Sequence, residues 1–315
     1  MQGTVTEKPS FDGQQAAQRL REAMKGFGTD EQALIDAICE HNNQQRQIIR
    51  SKYQALFGRD LLEDIKKETG GRFEDVLVAL LMPSTEYLAS CLKDAFKGIG
   101  TDEDAVIELL CSRAPAEIKA IKKAYQEKYG DSLEDKVQSE LTGTLCKVVL
   151  SLLAGSRDQS KTVNEGQVQQ DVADLIAAGV AQWGTDESVF NVILCNRSFP
   201  HLQRLFQRYV QETGSNLTDD ISREFSGHAQ AALLAIVQSA LDVPTFFAQK
   251  LQHALGGLGT KDNIVIRILV SRSEMDLRDI KVRYEAMFER SLAEAIRKDM
   301  SGDYEKVLLR ILGEA

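Results

Sequence analysis

Apolar residues along this chain recur at the spacing of a buried helix face, and the same series of faces is written four times. After Thr29, Leu34, Ile35 and Ile38 share one face; after a polar turn, Ile48, Ile49, Tyr53, Leu56 and Phe57 take up the period until Gly58 stops it. Leu61, Leu62 and Ile65 mark a short helix, and Phe73, Val76, Leu77, Leu80 and Leu81 another that ends at Pro83. With the helix that precedes Thr29, this makes five helices per repeat. No stretch alternates with the period of two that a half-buried strand needs, so the expected fold is all-α. The expected organisation is a short N-terminal segment at 1–13, then repeats at 14–84, 85–156, 168–243 and 244–315. The polar stretch "SRDQSKTVNEGQ" supplies a linker at 157–167 between two halves.

Between the first two helices of each repeat lies a loop of one kind: "MKGFGTDE" from Met24, "FKGIGTDE" from Phe96, "VAQWGTDE" from Val180 and "LGGLGTKD" from Leu255. Each has an acid at one fixed distance beyond its final glycine. The differences 68−28, 140−100, 224−184 and 299−259 are all 40, which selects Glu68, Glu140, Glu224 and Asp299. Each acid opens a small turn, "ETGG", "ELTG", "EFSG" or "DMSG", placed to fold back beside the loop.

Glycine accepts positive φ, so the carbonyls of alternating loop positions, here Met24, Gly26 and Gly28, can converge on one centre. Carbonyl oxygens plus one bidentate carboxylate form a hard-oxygen site that leaves positions open on a calcium ion, which takes about 6–8 ligands. Water or a lipid phosphoryl oxygen fits there. The threonine after the last glycine is expected to cap the next helix, Thr29 pairing with Gln32 in a capping box. A plain helix-to-helix turn explains one such loop, but not four loops with four acids at one spacing. No "GxxxxGK[ST]" occurs, and the D-x-D-x-D-G ligand run of an EF-hand is absent.

Composition narrows the partners. With 43% hydrophobic and 27% charged residues the 315-residue chain has material for a packed core. A net charge of −9 argues against nucleic acid and equally against unaided approach to anionic lipid. A cationic intermediary is needed. No apolar run approaches the roughly 18 residues of a membrane span, and "MQGTVTEKPS" lacks a signal peptide's apolar core, so a cytoplasmic location is expected. Cys39, Cys91, Cys111, Cys146 and Cys195 are odd in number and lack any CxxC; they are expected to be reduced thiols.

Taken together, four repeats of about 70 residues, the "G-x-G-T" loops and the acid 40 residues beyond them resemble the annexin family over nearly the whole chain from Gln14. The resemblance implies four five-helix repeats in a slightly curved disc, and calcium-dependent binding to acidic, phosphatidylserine-like phospholipids. It implies carbonyl ligands from Met24, Gly26 and Gly28 with Glu68; from Phe96, Gly98 and Gly100 with Glu140; and from Leu255, Gly257 and Gly259 with Asp299. The third loop departs, with Gln182 for the first glycine and one extra residue, so that Gly179, Gln182 and Gly184 match, with Glu224. Minor calcium sites fall on Thr29 and Glu31, or Thr101 and Glu103. Phe27, Ile99, Trp183 and Leu258 hold one place in the four loops and are expected to touch the headgroup region, with recruitment to membranes peripheral and self-association there possible.

Two other readings stay open: a helical-repeat scaffold whose calcium sites are structural, and a calcium-dependent ion-conducting membrane protein. For the latter, Asp36, Glu108, Val192 and Arg267 stand eight residues past the loop glycines; the three charged ones form either a central polar network or an ion path. Arg113, Arg197 and Arg272 are expected to lock repeats together. No catalytic set appears, since His41, His201, His228 and His253 lie in separate neighbourhoods, and no enzymatic activity is expected.

Overall fold

The computed structural model describes residues 2–26, 28–98, 100–179, 186–257 and 259–314. Among them are 19 helices and no strand. The first repeat comprises α1 (Gly13–Ala23), α2 (Glu31–Cys39), α3 (Asn43–Phe57), α4 (Leu61–Glu68) and α5 (Gly71–Leu81). The second follows with α6 (Ser84–Ala95), α7 (Glu103–Cys111), α8 (Pro115–Tyr129), α9 (Leu133–Glu140) and α10 (Gly143–Leu153). The third has α11 (Glu165–Ala178), α12 (Glu187–Asn196), α13 (Phe199–Thr213), α14 (Leu217–Glu224) and the long α15 (Gly227–Leu255), which continues into the fourth repeat. The fourth is completed by α16 (Asp262–Arg272), α17 (Leu277–Phe288), α18 (Leu292–Asp299) and α19 (Gly302–Ile311).

Nineteen helices rather than twenty reflect α15, where the expected last helix of one repeat and first of the next run together. They are separated by a kink at Asp242 (φ −162, ψ 102), whose carboxylate accepts a hydrogen bond from the Thr245 hydroxyl (2.6 Å) just past Pro244. Among the described residues α15 is the one helix long and apolar enough to cross a membrane; 67% of its most apolar stretch is buried, as in a core helix. Ile48 and Leu56, read above as core positions of α3, are instead exposed. The buried stripe of α3 runs through Gln45, Arg46, Ile49 and Tyr53, because the Arg46 guanidinium finds partners inside the fold for two of its nitrogens, Nε donating to the carbonyl of Ile38 (3.0 Å) and Nη1 to that of Leu80 (3.1 Å).

The chain forms two compact units that do not follow sequence order. One contains Met1–Tyr87 and Phe247–Ala315, so the first and fourth repeats; the other is Leu88–Phe246, the second and third. The stretch read as a linker between halves therefore lies inside one unit. It is pinned there: Asp158 N–H donates to Asn196 O (2.7 Å) and Arg157 donates to Arg197 O (2.8 Å), and α11 already begins at Glu165, capped by Asn164. In the first unit, α19 packs on α2 and α5, and α16 on α5. The N-terminal segment straps this pairing: Thr4 and Val5 N–H groups donate to Ser273 O, and a Cβ on Gly3 would stand 2.5 Å from that same oxygen.

Arg113, Arg197 and Arg272 each form an ion pair inside their own repeat, with Glu117, Asp171 and Asp276. The reason is local: each guanidinium finds a carboxylate on its own repeat within bonding reach. Asp171 is the most heavily used of these acids, accepting from Arg197 (2.6 and 2.8 Å) and Gln167 (2.8 Å) and lying 2.8 Å from His201 Nε2. Burial pushes its carboxyl up, but the bonds from Arg197 and Gln167 and the Arg197 charge hold it below the usual carboxylate value. Such a depressed carboxyl contributes stability in full above its unfolded pKa of about 4, lost as pH falls through the folded one. Asp171→Asn is thus expected to lower the urea midpoint at neutral pH, with the gap from wild type closing as the solution is acidified below about pH 4. A gap independent of pH would show that the charge of Asp171 is not what stabilises.

Candidate metal centre

Each loop leaves its first helix with the last side chain still in the core. Met24, Phe96 and Leu255 are buried, so the backbone beyond them, not the side chain, turns to the surface. One hydrogen bond closes every loop: Asp30 N–H to Ala23 O, Asp102 to Ala95, Lys261 to Ala254 and Asp186 to Ala178, at 2.8–3.1 Å. The separations 30−23, 102−95 and 261−254 are 7, and 186−178 is 8. The third loop does carry one extra residue.

Gly26 (φ 109), Gly28 (φ 90), Gly98 (φ 102) and Gly100 (φ 93) all occupy the left-handed half of backbone space, with open surroundings where a Cβ would stand. An L-residue is disfavoured there by its own backbone, not by neighbours. The first two loops are thus alike. The fourth keeps Gly259 (φ 86), but Gly257 lacks the positive φ, and a Cβ on Gly256 would lie 2.8 Å from Gln252 O, where the first two loops carry Lys25 and Lys97. Its turn is made by a different backbone path. In the third repeat Gly179 ends α11 with Phe190 so close that a Cβ would sit 3.2 Å from the ring. Gln182, Trp183 and Gly184 lie outside the described residues, as do Phe27, Ile99 and Leu258.

The expected threonine cap is corrected. Asp30 caps α2 through Ala33 N–H, Asp102 caps α7 through Ala105 N–H, and Asp186 caps α12 through Ser188 N–H. A carboxylate at the positive end of a helix gains charge–dipole energy that a hydroxyl does not. Thr29 is thereby released for another contact: its hydroxyl donates toward Glu68 O (3.2 Å) and Glu68 Oε2 (3.3 Å), tying the loop to its distant acid.

The four acids are each the last residue of their helix: Glu68 of α4, Glu140 of α9, Glu224 of α14 and Asp299 of α18. The glycine three residues on, Gly71, Gly143, Gly227 or Gly302, turns the chain at φ 58 to 68 and opens the next helix. Glu68 and Asp299 are exposed, Glu140 and Glu224 half-buried. Lys136 donates to Glu140 Oε1 at 2.5 Å, a partner that would compete with a cation at the second loop. Asp299 faces an open cleft lined also by Gly256 and Gly257, so the fourth loop and its acid share one surface.

A second fourfold register lies in the core. Tyr53, Tyr125, Tyr209 and Tyr284 each stand fifteen residues before their acid (68−53, 140−125, 224−209, 299−284) and are fully buried. Tyr53 and Tyr209 donate to Asp64 and Asp220, one helical turn before the acids. Lys136 and Ala295 hold that place in the other repeats; the Tyr125 hydroxyl has no partner among the described residues, and Tyr284 turns to Gln252 (2.6 Å). The signal in the sequence is a tyrosine at one constant spacing from each acid.

The side-chain donor beside each loop is one carboxylate, a hard oxygen of the kind a hard cation takes. Among the described residues no group of three His, Cys, Asp or Glu side chains is placed to hold a metal, so a metal at these loops depends on main-chain oxygen. The same architecture is found in known proteins. The annexin family model matches residues 15–80, 87–152, 170–236 and 246–311, one match per repeat. The chain belongs to the annexin family. Human annexin A5 is 44% identical over 314 residues, spanning 100% of this chain and 98% of that one. The solved annexin III superposes with a TM-score of 0.98 at 43% identity, covering 99% and 97% of the two chains. A calcium-bound annexin (Sm)1 does so at 0.90 and 31% identity, covering 99% and 93%. Annexins are calcium-dependent, membrane-associating proteins, generally without enzymatic activity.

Within this annexin the charged residues singled out beyond the loops are engaged or buried. Asp36 pairs with Arg310 of α19 at 3.5 Å, Glu108 and Arg267 are buried, and Val192 is exposed. The five cysteines are free thiols, and burial pushes Cys39 and Cys195 up to about 12, far from thiolate chemistry. His41 lies buried 2.7 Å from Ala37 O and edge-on to Phe11.

Proposed function

We propose that this annexin binds acidic phospholipid membranes only when calcium occupies its loops. The ion would be held by the carbonyls of Met24, Gly26 and Gly28 with Glu68, by those of Phe96, Gly98 and Gly100 with Glu140, and by the corresponding groups of the third and fourth repeats. Calcium supplies positive charge and open coordination positions for lipid phosphoryl oxygen. The observation that carries the reading is the Thr29–Glu68 contact, which places a carboxylate beside a glycine loop 39 residues away in sequence. The chain's own charge of −9 then explains why binding waits for the cation. Cytoplasmic residence with peripheral recruitment follows from such a switch.

The test is sedimentation with phosphatidylserine vesicles. Pelleting is expected with calcium and release with chelator; salt at moderate concentration lowers binding only modestly, because inner-sphere bonds are screened less than surface charge pairs. Trp183 is the single tryptophan, and its emission is expected to change only when calcium and anionic vesicles are present together. Equal pelleting in chelator would replace the reading with a basic membrane patch, and no pelleting in either condition would favour a scaffold role.

A further inference from the structure

The second and fourth repeats lack the acid that the first and third carry one turn before the loop acid, and in the fourth this leaves two cations beside its loop. In the first repeat Arg59 is bound by Asp64 through two contacts of 2.6 Å, and in the third Arg223 is bound by Asp220 at 2.6 Å. The fourth repeat has Arg290 after the third helix, as the first has Arg59, but Ala295 where those acids stand. Arg290 is left with two long contacts, to Gln252 Oε1 (3.4 Å) and the Tyr284 hydroxyl (3.3 Å), and no carboxylate partner among the described residues. The nearby Glu294 feels the charge of Arg290 but is held in the cap of α18 with Ser291 and makes no ion pair with it among the described residues. Lys298, beside Asp299, likewise has no ion pair among the described residues.

Both cations line one open cleft of about 440 Å³ with Gln252, Gly256, Gly257 and Asp299. Gln252 is oriented within it: Tyr284 and Arg290 both donate to its Oε1, so its amide NH₂ is free to face the loop, where it lies 3.0 Å from the Cβ position of Gly256. Just before Arg290 the chain also departs from its repeats. Glu289 ends α17 at φ 54, where Gly58, Gly130 and Gly214 end the matching helices. A non-glycine residue in that region is a local cost, and such costs concentrate where a neighbouring group has a task.

We propose that this cleft is a subsite for a phosphomonoester, the second phosphate of a ligand whose first phosphoryl group meets the fourth loop. A guanidinium fork, an ammonium and an amide NH₂ lining one cleft match a tetrahedral dianion in charge and in donor type. A carboxylate or a phosphodiester offers less charge to the same groups. The inference rests on the calcium-dependent lipid binding proposed above, since Asp299 repels the anion until its own charge is offset. The ligand is either a phosphoinositide headgroup in a membrane or the same headgroup free in solution.

The experiment compares the full chain with Arg290→Gln/Lys298→Gln, and separately with Ala295→Asp, which restores the carboxylate that occupies Arg59 and Arg223 elsewhere. Binding is read at fixed calcium to phosphatidylcholine vesicles carrying either phosphatidylserine or phosphatidylinositol bisphosphate at equal charge, and to soluble inositol trisphosphate by calorimetry. We expect both variants to keep phosphatidylserine binding within about two-fold and to lose about ten-fold toward the bisphosphate vesicles, as two exposed charges removed from one anion would give. A parallel loss toward inositol trisphosphate assigns the site to the headgroup itself; loss confined to vesicles assigns it to the membrane-bound lipid. Unchanged bisphosphate binding, or an equal loss toward both vesicle types, overturns the subsite. Failure of the wild type to bind phosphatidylserine vesicles in calcium overturns the underlying reading instead.

Discussion

Glu68→Gln, Glu140→Gln, Glu224→Gln and Asp299→Asn, combined in one chain, are expected to abolish calcium-dependent sedimentation with phosphatidylserine vesicles while leaving the helical fold and its thermal transition in place. Each change removes one anionic donor at the last residue of a helix, on a surface-facing turn, without opening a cavity. The single variants should differ. Glu68 already stands at the loop through Thr29, and the first two loops share their glycine geometry, so Glu68→Gln and Glu140→Gln should each raise the calcium requirement roughly three- to ten-fold. The fourth loop takes another backbone path, so Asp299→Asn should cost less. Lys136 complicates the second site in a testable direction: removing it frees Glu140 and should lower the calcium requirement there. Normal calcium dependence in the quadruple variant would falsify the ligand assignment.

The largest expected effect on stability comes from a residue outside the four glycine loops. Asp276 is fully buried and accepts from Arg272 Nε (2.7 Å) and Nη2 (2.5 Å), and that guanidinium lies over the Phe247 ring at 4.6 Å. Asp276→Ala strands a buried positive charge, for which the cost is about 3–5 kcal/mol. Replacing both partners, as Arg272→Met/Asp276→Leu, should cost far less, because no ion is then left without its counter-charge. Urea unfolding of the calcium-free protein measures both. A single variant no worse than the double would mean that the pair adds packing but no charge compensation.

Much was legible in the sequence because it depends on neighbours along the chain. Helix faces follow from a period of 3.6, Gly58 and Pro83 end helices for backbone reasons, and four loops with an acid 40 residues on recur because each repeat folds by the same local rules. Those features gave the all-α class and the candidate ligands. Other features were decided by what lies across the fold. Thr29 and Asp30 compete for one helix end; the aspartate takes the cap, and the threonine turns to Glu68, an outcome set by a turn that the local sequence does not contain. The stripe of α3 passes through Arg46 and leaves Ile48 and Leu56 exposed because carbonyls from α2 and α5 are there to receive the guanidinium. Pairing of the first repeat with the fourth, and the strap that Gly3 permits against Ser273, join residues some 270 positions apart (273−3). Local pattern carries no record of such distances: a helix face specifies that it must be buried, and only the folded chain specifies against what.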